Sequence, residues 1–195
     1  MPTATFENLK PEKQDQIFVA LINEFSKHRL MEAQVARIIK DCGIARGSFY
    51  KYFADLNDSY EYALKRVLTA VHFDILHLIE NEPNNSLAAF YEATRAFIDK
   101  LSNSKYREFY RKYVLYNQYE LKHTEYDYRH MPSEHLILKV NGHEVSDKET
   151  VVVTYKWATK AAHEVIKAVL EGHDATQELQ DYQKLLHVLN AGLSK

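Results

Sequence analysis

The stretch VARIIKDCGIARGSFYKYF, residues 35–53, decides how the chain is read. Val35, Ile38, Ile39 and Cys42 follow the i, i+3, i+4, i+7 spacing of an amphipathic helix. Gly43 then stands where a left-handed helix terminus is wanted. A second short helix is expected from about Arg46 to Phe53. Two short helices joined by a tight turn make a helix-turn-helix, provided the second helix keeps one face free for the major groove. Ile44, Phe49 and Phe53 can pin that helix to a core, leaving Arg46, Gly47, Ser48, Tyr50, Lys51 and Tyr52 more outward. The outward residues suit nucleic acid. Arginine can bond guanine in bidentate fashion, worth about 1–3 kcal/mol of discrimination. Gly47 lets the backbone come close, and Ser48, Tyr50, Lys51 and Tyr52 can donate to phosphates, which set register without reading sequence.

Charge patterning points the same way. The chain has 195 residues and a net charge of -2. Between Arg37 and Tyr52, however, Arg37, Lys40, Arg46 and Lys51 face only Asp41, a net of +3 that leaves the rest at about -5. Hydrophobic content of 46% and charged content of 27% are those of a globular domain. Only 5 Gly and 4 Pro argue for long helices, hence an all-α fold. The single cysteine, Cys42, forms no internal disulfide and suits a reducing cytoplasm. No apolar run approaches the roughly 20 residues that span a bilayer, and the N-terminus lacks the pattern of a secretion signal.

Helices are expected almost throughout. Pro11 opens the first, with Ile17, Phe18, Ala20, Leu21 and Phe25 inward. After ADLND (54–58) a long helix carries Tyr60, Leu64, Val67, Leu68, Val71, Ile75, Leu78 and Ile79. NEPNNS (81–86) is a linker, with Ser86 as candidate cap for a helix burying Leu87, Phe90, Tyr91, Thr94, Phe97, Ile98 and Leu101. A further helix is expected from Lys105 to about Lys122. LILKVNGHEV (136–145) holds Asn-Gly between strand-like runs, a hairpin signal. SDKE (146–149) reads as a capping box with Ser146 as cap. The helix it opens has Val151, Tyr155, Ala158, Ala162, Val165 and Val169 on one face and stops at Gly172. Asp174 caps the last helix, which Gly192 ends.

Helix one together with IIKDCGIARGSFYKYFADLNDSY (38–60) resembles the N-terminal domain of TetR-family transcriptional regulators. The resemblance rests on Ile38, Gly43, the small residue, Arg and Gly at 45–47, Ser48, Tyr50 and Tyr52-Phe53, and covers about residues 10–65. It implies a helix-turn-helix DNA-binding domain over residues 1–57 and a helical ligand-binding and dimerisation domain over 58–195. It further implies recognition by 46–52 of a double-stranded, palindromic operator, a homodimer built through about 146–192, and release by a small molecule. Leu56 stands where the family often has a phosphate-binding lysine, and Ala33 and Gln34 where it usually has threonine; Gln34 and Arg37 are the candidate substitutes.

For the effector, the tyrosine-crowded stretch 106–119 offers either an apolar pocket with polar points or plain core. The candidates are Tyr110, Arg111, Tyr113 and Tyr116, with Trp157 from the helix after 149. Glu120 and His123 form a single Glu-x-x-His unit where di-metal bundles need two, and His130, His135 and His143 are not spaced as a ligand set, so no metal or cofactor is expected. No phosphate loop, nucleophile elbow or Cys-His arrangement suggests an enzyme. The competing reading is a helical small-molecule binder with a vestigial helix-turn-helix. A weaker third is an adaptor that uses the tyrosines as a surface.

Overall fold

The computed structural model describes residues 2–71, 82, 84–121, 128–132 and 136–194. It is all-α apart from one short hairpin. The helices are α1 (Ala4–Glu7), α2 (Pro11–Lys27), α3 (Val35–Cys42), α4 (Arg46–Tyr52), α5 (Leu56–Val71), α6 (Ser86–Ser102), α7 (Arg107–Leu115), α8 (Lys148–Glu171) and α9 (Ala175–Leu193). Strands β1 (Lys139–Val140) and β2 (His143–Glu144) pair antiparallel, and single 3-10 turns cover Leu30–Glu32, Asn117–Tyr119 and Tyr128–His130. Ile75, Leu78, Ile79, His123 and His135, singled out in the sequence, lie outside the described residues.

The chain divides into two compact units, Met1–His72 with Asn103–Lys122, and Phe73–Ser102 with His123–Lys195. Compactness therefore does not follow the expected 57/58 boundary. Helices α5 and α7 pack with the N-terminal helices because their inward rings complete the same core.

In the first unit α2 is central and lies against α3, α5 and α7. Its Ile17, Leu21 and Phe25 are fully buried, as are Ile38 and Cys42 of α3, Phe49 of α4, Phe53 at the end of α4 and Tyr60 of α5. Each such burial contributes about 1.5–3 kcal/mol. Tyr60 lies edge-on to Phe25 (4.8 Å) and stacks on Phe109 (5.3 Å). Helix α7 stops at Leu115, well short of Lys122, and Tyr116 leaves helical geometry at φ -134 and ψ -59. The cause is Asn117, which is fully buried: its amide donates to the Tyr60 hydroxyl (3.1 Å) and its oxygen accepts from the Leu30 N–H (3.1 Å). A continuous helix would carry that side chain away from both partners. Helix α1 is additional to the helices expected from the sequence; Thr3 caps it and Phe6, 2% exposed, roots it in the core.

In the second unit α6, α8 and α9 pack on one another. The Tyr155 hydroxyl donates to the Ile137 carbonyl (2.8 Å) and that of Tyr182 to the Ala158 carbonyl (3.1 Å), so each buried phenol has an acceptor. The Asn-Gly hairpin is present: Asn141 (φ 50) and Gly142 (φ 80) both take the positive φ that a type I′ turn requires. Two caps differ from expectation. Helix α8 is capped by Asp147, not Ser146: its carboxylate accepts from the Thr150 N–H (3.0 Å), while Glu149 pairs with Arg129 (2.7 Å) instead of reaching back. Asn85 caps α6 by accepting from the N–H groups of Leu87 and Ala88, which leaves the Ser86 hydroxyl to accept from the Lys139 N–H of β1 (2.9 Å). Asp174 does cap α9, and Gly172 ends α8 in left-handed geometry at φ 107.

Candidate nucleic-acid interface

Helices α3 and α4 meet as a helix-turn-helix. Gly43 adopts φ 61 and ψ 41, and both it and Ile44 donate to the Ile39 carbonyl, closing α3. The Lys13 ammonium donates to the Cys42 carbonyl (3.3 Å), tying α2 to the same turn. Cys42 is buried, and that burial pushes its thiol above the ordinary value.

Helix α4 splits its residues as its length permits. Phe49 and Phe53 are fully buried and contact each other at 5.4 Å. Arg46, Gly47, Tyr50 and Lys51 are exposed, with Ser48 and Tyr52 half-buried. Tyr50 is 46% exposed and lies one turn from Arg46, whose guanidinium reaches its hydroxyl at 3.5 Å and sits 5.7 Å from its ring centre. Among the described residues neither Arg46 nor Lys51 has a carboxylate partner. About two turns of helix thus present two cations without a carboxylate partner among the described residues, together with two phenols.

Gln34 is exposed at the N-cap of α3, and its side chain makes no capping bond. Arg37 departs from the expectation of a free phosphate-binding cation. Its Nε donates to both carboxylate oxygens of Glu24 (3.0 and 2.9 Å), and its Nη2 donates to Glu24 Oε1 (2.6 Å) and to the Glu32 carbonyl (2.8 Å). Glu24, 5% exposed, also accepts from the Gln34 N–H at 2.7 Å. Burial pushes the Glu24 carboxyl up, but the bonds from Arg37 and Gln34 outweigh it and hold the group below the ordinary carboxylate value. A buried carboxylate needs such partners, so Arg37 is claimed by α2. The sequence did carry a signal for Glu24: it lies i+3 from Leu21 and i+7 from Ile17, an acid on an apolar face. Leu56 opens α5 half-buried.

The effector candidates separate between the units. Tyr110, Arg111, Tyr113 and Tyr116 belong to the first, with the rings of Tyr110 and Tyr113 at 6.0 Å. Burial, and then Tyr113, pushes the Tyr110 phenol far above its ordinary value. The Tyr116 ring is covered by the Arg29 guanidinium at 3.8 Å. Trp157 belongs to the second unit and is 57% exposed, a surface ring with the ammonium groups of Lys156 and Lys160 each 5.8 Å away. Position 157 falls opposite the face that buries Tyr155 and Ala162. A hollow of about 310 Å³ at the hairpin, between Val140, His143, Ser146 and Leu193, is lined by none of these candidates. Among the described residues no group of three or more His, Cys, Asp and Glu could hold a metal ion, and no helix is long and apolar enough to cross a membrane.

No family model matches the sequence, and no curated protein does. Solved structures do. A TetR family transcriptional regulator from Chloroflexus aurantiacus J-10-FL is similar over 98% of both chains, at 21% identity and a TM-score of 0.51. The chain has the TetR-family fold. A protein described as a transcriptional regulator from Pseudomonas aeruginosa PAO1 is similar over 97% of this chain and 96% of its own, at 16% identity and a TM-score of 0.51. Within the TetR fold, the likeness spans both compact units and so extends beyond the N-terminal residues that resemble the family in sequence.

Proposed function

We propose that the protein is a dimeric, DNA-binding transcriptional regulator, a repressor that leaves a palindromic operator when a small molecule binds. The observation that carries the reading is α4. Arg46, Tyr50 and Lys51 are exposed, and among the described residues no carboxylate pairs with the two cations, on a helix anchored by Phe49 and Phe53. Arg46 reads a base edge; Gly47 allows close approach; Gln34, Ser48, Tyr50, Lys51 and Tyr52 hold phosphates. Arg37 serves by fixing α3. Residues 1–57 carry DNA contact, and 58–195 carry effector binding and dimerisation. Helices α8 and α9 supply the dimer: beyond their intramolecular face they expose Val153, Trp157, Leu185 and Val188. The effector binds near Tyr110 and Tyr113 and favours the conformer with wider-spaced recognition helices, a coupling of about 1–3 kcal/mol.

The test is selection of a duplex from a randomised pool, followed by gel shift. A recovered sequence with two related half-sites about one helical turn, or a multiple, apart supports the reading. Recovery of no preferred sequence refutes it and favours the second reading, a helical small-molecule binder whose helix-turn-helix is vestigial. The observation on that side is the pair of missing anchors, Leu56 half-buried and Arg37 bound to Glu24. Light scattering tests the dimer: a mass near twice 22.8 kDa is expected, and a monomer at micromolar concentration overturns it.

A further inference from the structure

The last carbonyls of a short helix have no partner inside it and must find one elsewhere. In α4 the Phe49 carbonyl accepts from the Phe53 N–H (2.9 Å). The last two, those of Lys51 and Tyr52, are taken by one residue from the start of the chain. The Thr3 hydroxyl donates to the Lys51 carbonyl at 2.6 Å, and the Thr3 N–H donates to the Tyr52 carbonyl at 3.0 Å. Thr3 is also the N-cap of α1, where its hydroxyl oxygen accepts from the Phe6 N–H at 3.4 Å. Phe6 then drives into the core, 5.0 Å from Phe53, 4.9 Å from Tyr62 and 5.9 Å edge-on to Tyr52. The far end of α1 is fixed as firmly. The Gln14 amide of α2 donates to three carbonyls there, those of Phe6 (3.2 Å), Glu7 (3.0 Å) and Leu9 (3.0 Å). Residues 3–9 are therefore a strap, bolted to α2 by Gln14, to the core by Phe6, and to the C-terminal end of α4 by Thr3.

We infer that this strap is a positioning element for sequence discrimination, with Thr3 as its positioning residue: it holds the pitch of α4 so that Arg46 and Tyr50 meet base edges in register. This rests on the DNA-binding reading above. Helix α4 is rooted on its inner face by Phe49 and Phe53, which fixes its depth. Two ring contacts leave rotation about the line joining them, and the Thr3 bonds at the helix end remove it. Base readout needs bidentate geometry and is sensitive to such a tilt, whereas phosphate contacts tolerate it. Losing the strap therefore costs discrimination more than general affinity.

The experiment uses the full chain with Thr3→Val, which keeps the shape and removes the hydroxyl, and Thr3→Ser, which restores it. Two readouts are taken. The first is amide hydrogen exchange over 46–53, without DNA. The second is affinity for the duplex selected by the wild-type protein and for a scrambled duplex, across a salt series. In Thr3→Val, exchange in 46–53 speeds up and affinity for the selected duplex falls about 3- to 10-fold, the scale of one lost hydrogen bond. Scrambled-duplex affinity and the salt slope stay at wild-type values, and Thr3→Ser recovers both readouts. Unchanged exchange in Thr3→Val overturns the strap. Faster exchange with equal loss on both duplexes overturns the discrimination role, since it marks a general contact or a general loss of structure. If the wild-type protein selects no duplex, the DNA-binding reading falls and the discrimination role with it, while the exchange readout still decides whether the strap holds α4.

Discussion

Replacing Glu24 by glutamine isolates what holds the helix-turn-helix to α2. The substitution keeps the volume and one acceptor but removes the charge that meets Arg37 Nε and Nη2 at 2.6–3.0 Å and the Gln34 N–H at 2.7 Å. Hydrogen bonds to a charged group contribute about 1.5–3 kcal/mol each in buried settings. Two effects reduce the net. The arginine keeps 37% exposure and water can screen it, and a neutral side chain costs less to bury than a carboxylate. A loss of about 1–2 kcal/mol follows, a fall in Tm of about 2–8 °C for a chain of this size. Far-UV circular dichroism is the assay. Fluorescence serves poorly because the single tryptophan, Trp157, lies in the other compact unit. The pH dependence gives a second handle. The folded-state pKa of Glu24 is depressed, so its contribution is full above the ordinary value of 4.5 and is lost as pH falls through the lower folded value. The gap between wild type and Glu24→Gln should therefore be constant near neutrality and close in acid. Equal stabilities at pH 7, or a gap that persists unchanged to pH 3, would refute the reasoning.

Arg46→Ala should lower operator affinity and blur preference at one base position by about 1–3 kcal/mol, measured by competition with single-base variants; retained preference removes its base-reading role. Lys51→Ala should weaken binding on all duplexes alike and reduce the salt slope by about 1, and a wild-type slope would exclude a phosphate contact. Gly43→Ala should destabilise by about 1–2 kcal/mol in urea melts. A Cβ there meets nothing within 4 Å, so the whole cost arises from holding φ 61 with a side chain. A neutral effect would mean that the turn relaxes freely.

Much of the architecture was legible because its determinants are local. The spacing of Val35, Ile38, Ile39 and Cys42, the left-handed Gly43, the Asn141-Gly142 turn and the Asp174 cap each act within a few residues. The division of α4 into buried Phe49 and Phe53 and exposed Arg46, Tyr50 and Lys51 was legible for the same reason. The cap of α8 went astray by one residue, since Ser146 and Asp147 are adjacent and both can cap; the carboxylate is the stronger acceptor toward a helix N-terminus.

By itself, then, the sequence determined an all-α chain with a helix-turn-helix and an outward cationic, phenolic face, since periodicity and turn chemistry are properties of neighbours. Tertiary structure alone decided which polar groups found partners. It paired Arg37 with Glu24, ended α7 at Leu115 by burying Asn117 against Tyr60, moved Trp157 to the surface, and strapped α4 with Thr3, 48 residues from Lys51. Those outcomes depend on where distant segments come together. A buried carboxylate, amide or helix-end carbonyl must be satisfied by whatever donor or acceptor the fold brings within about 3 Å, and no local pattern names that partner in advance.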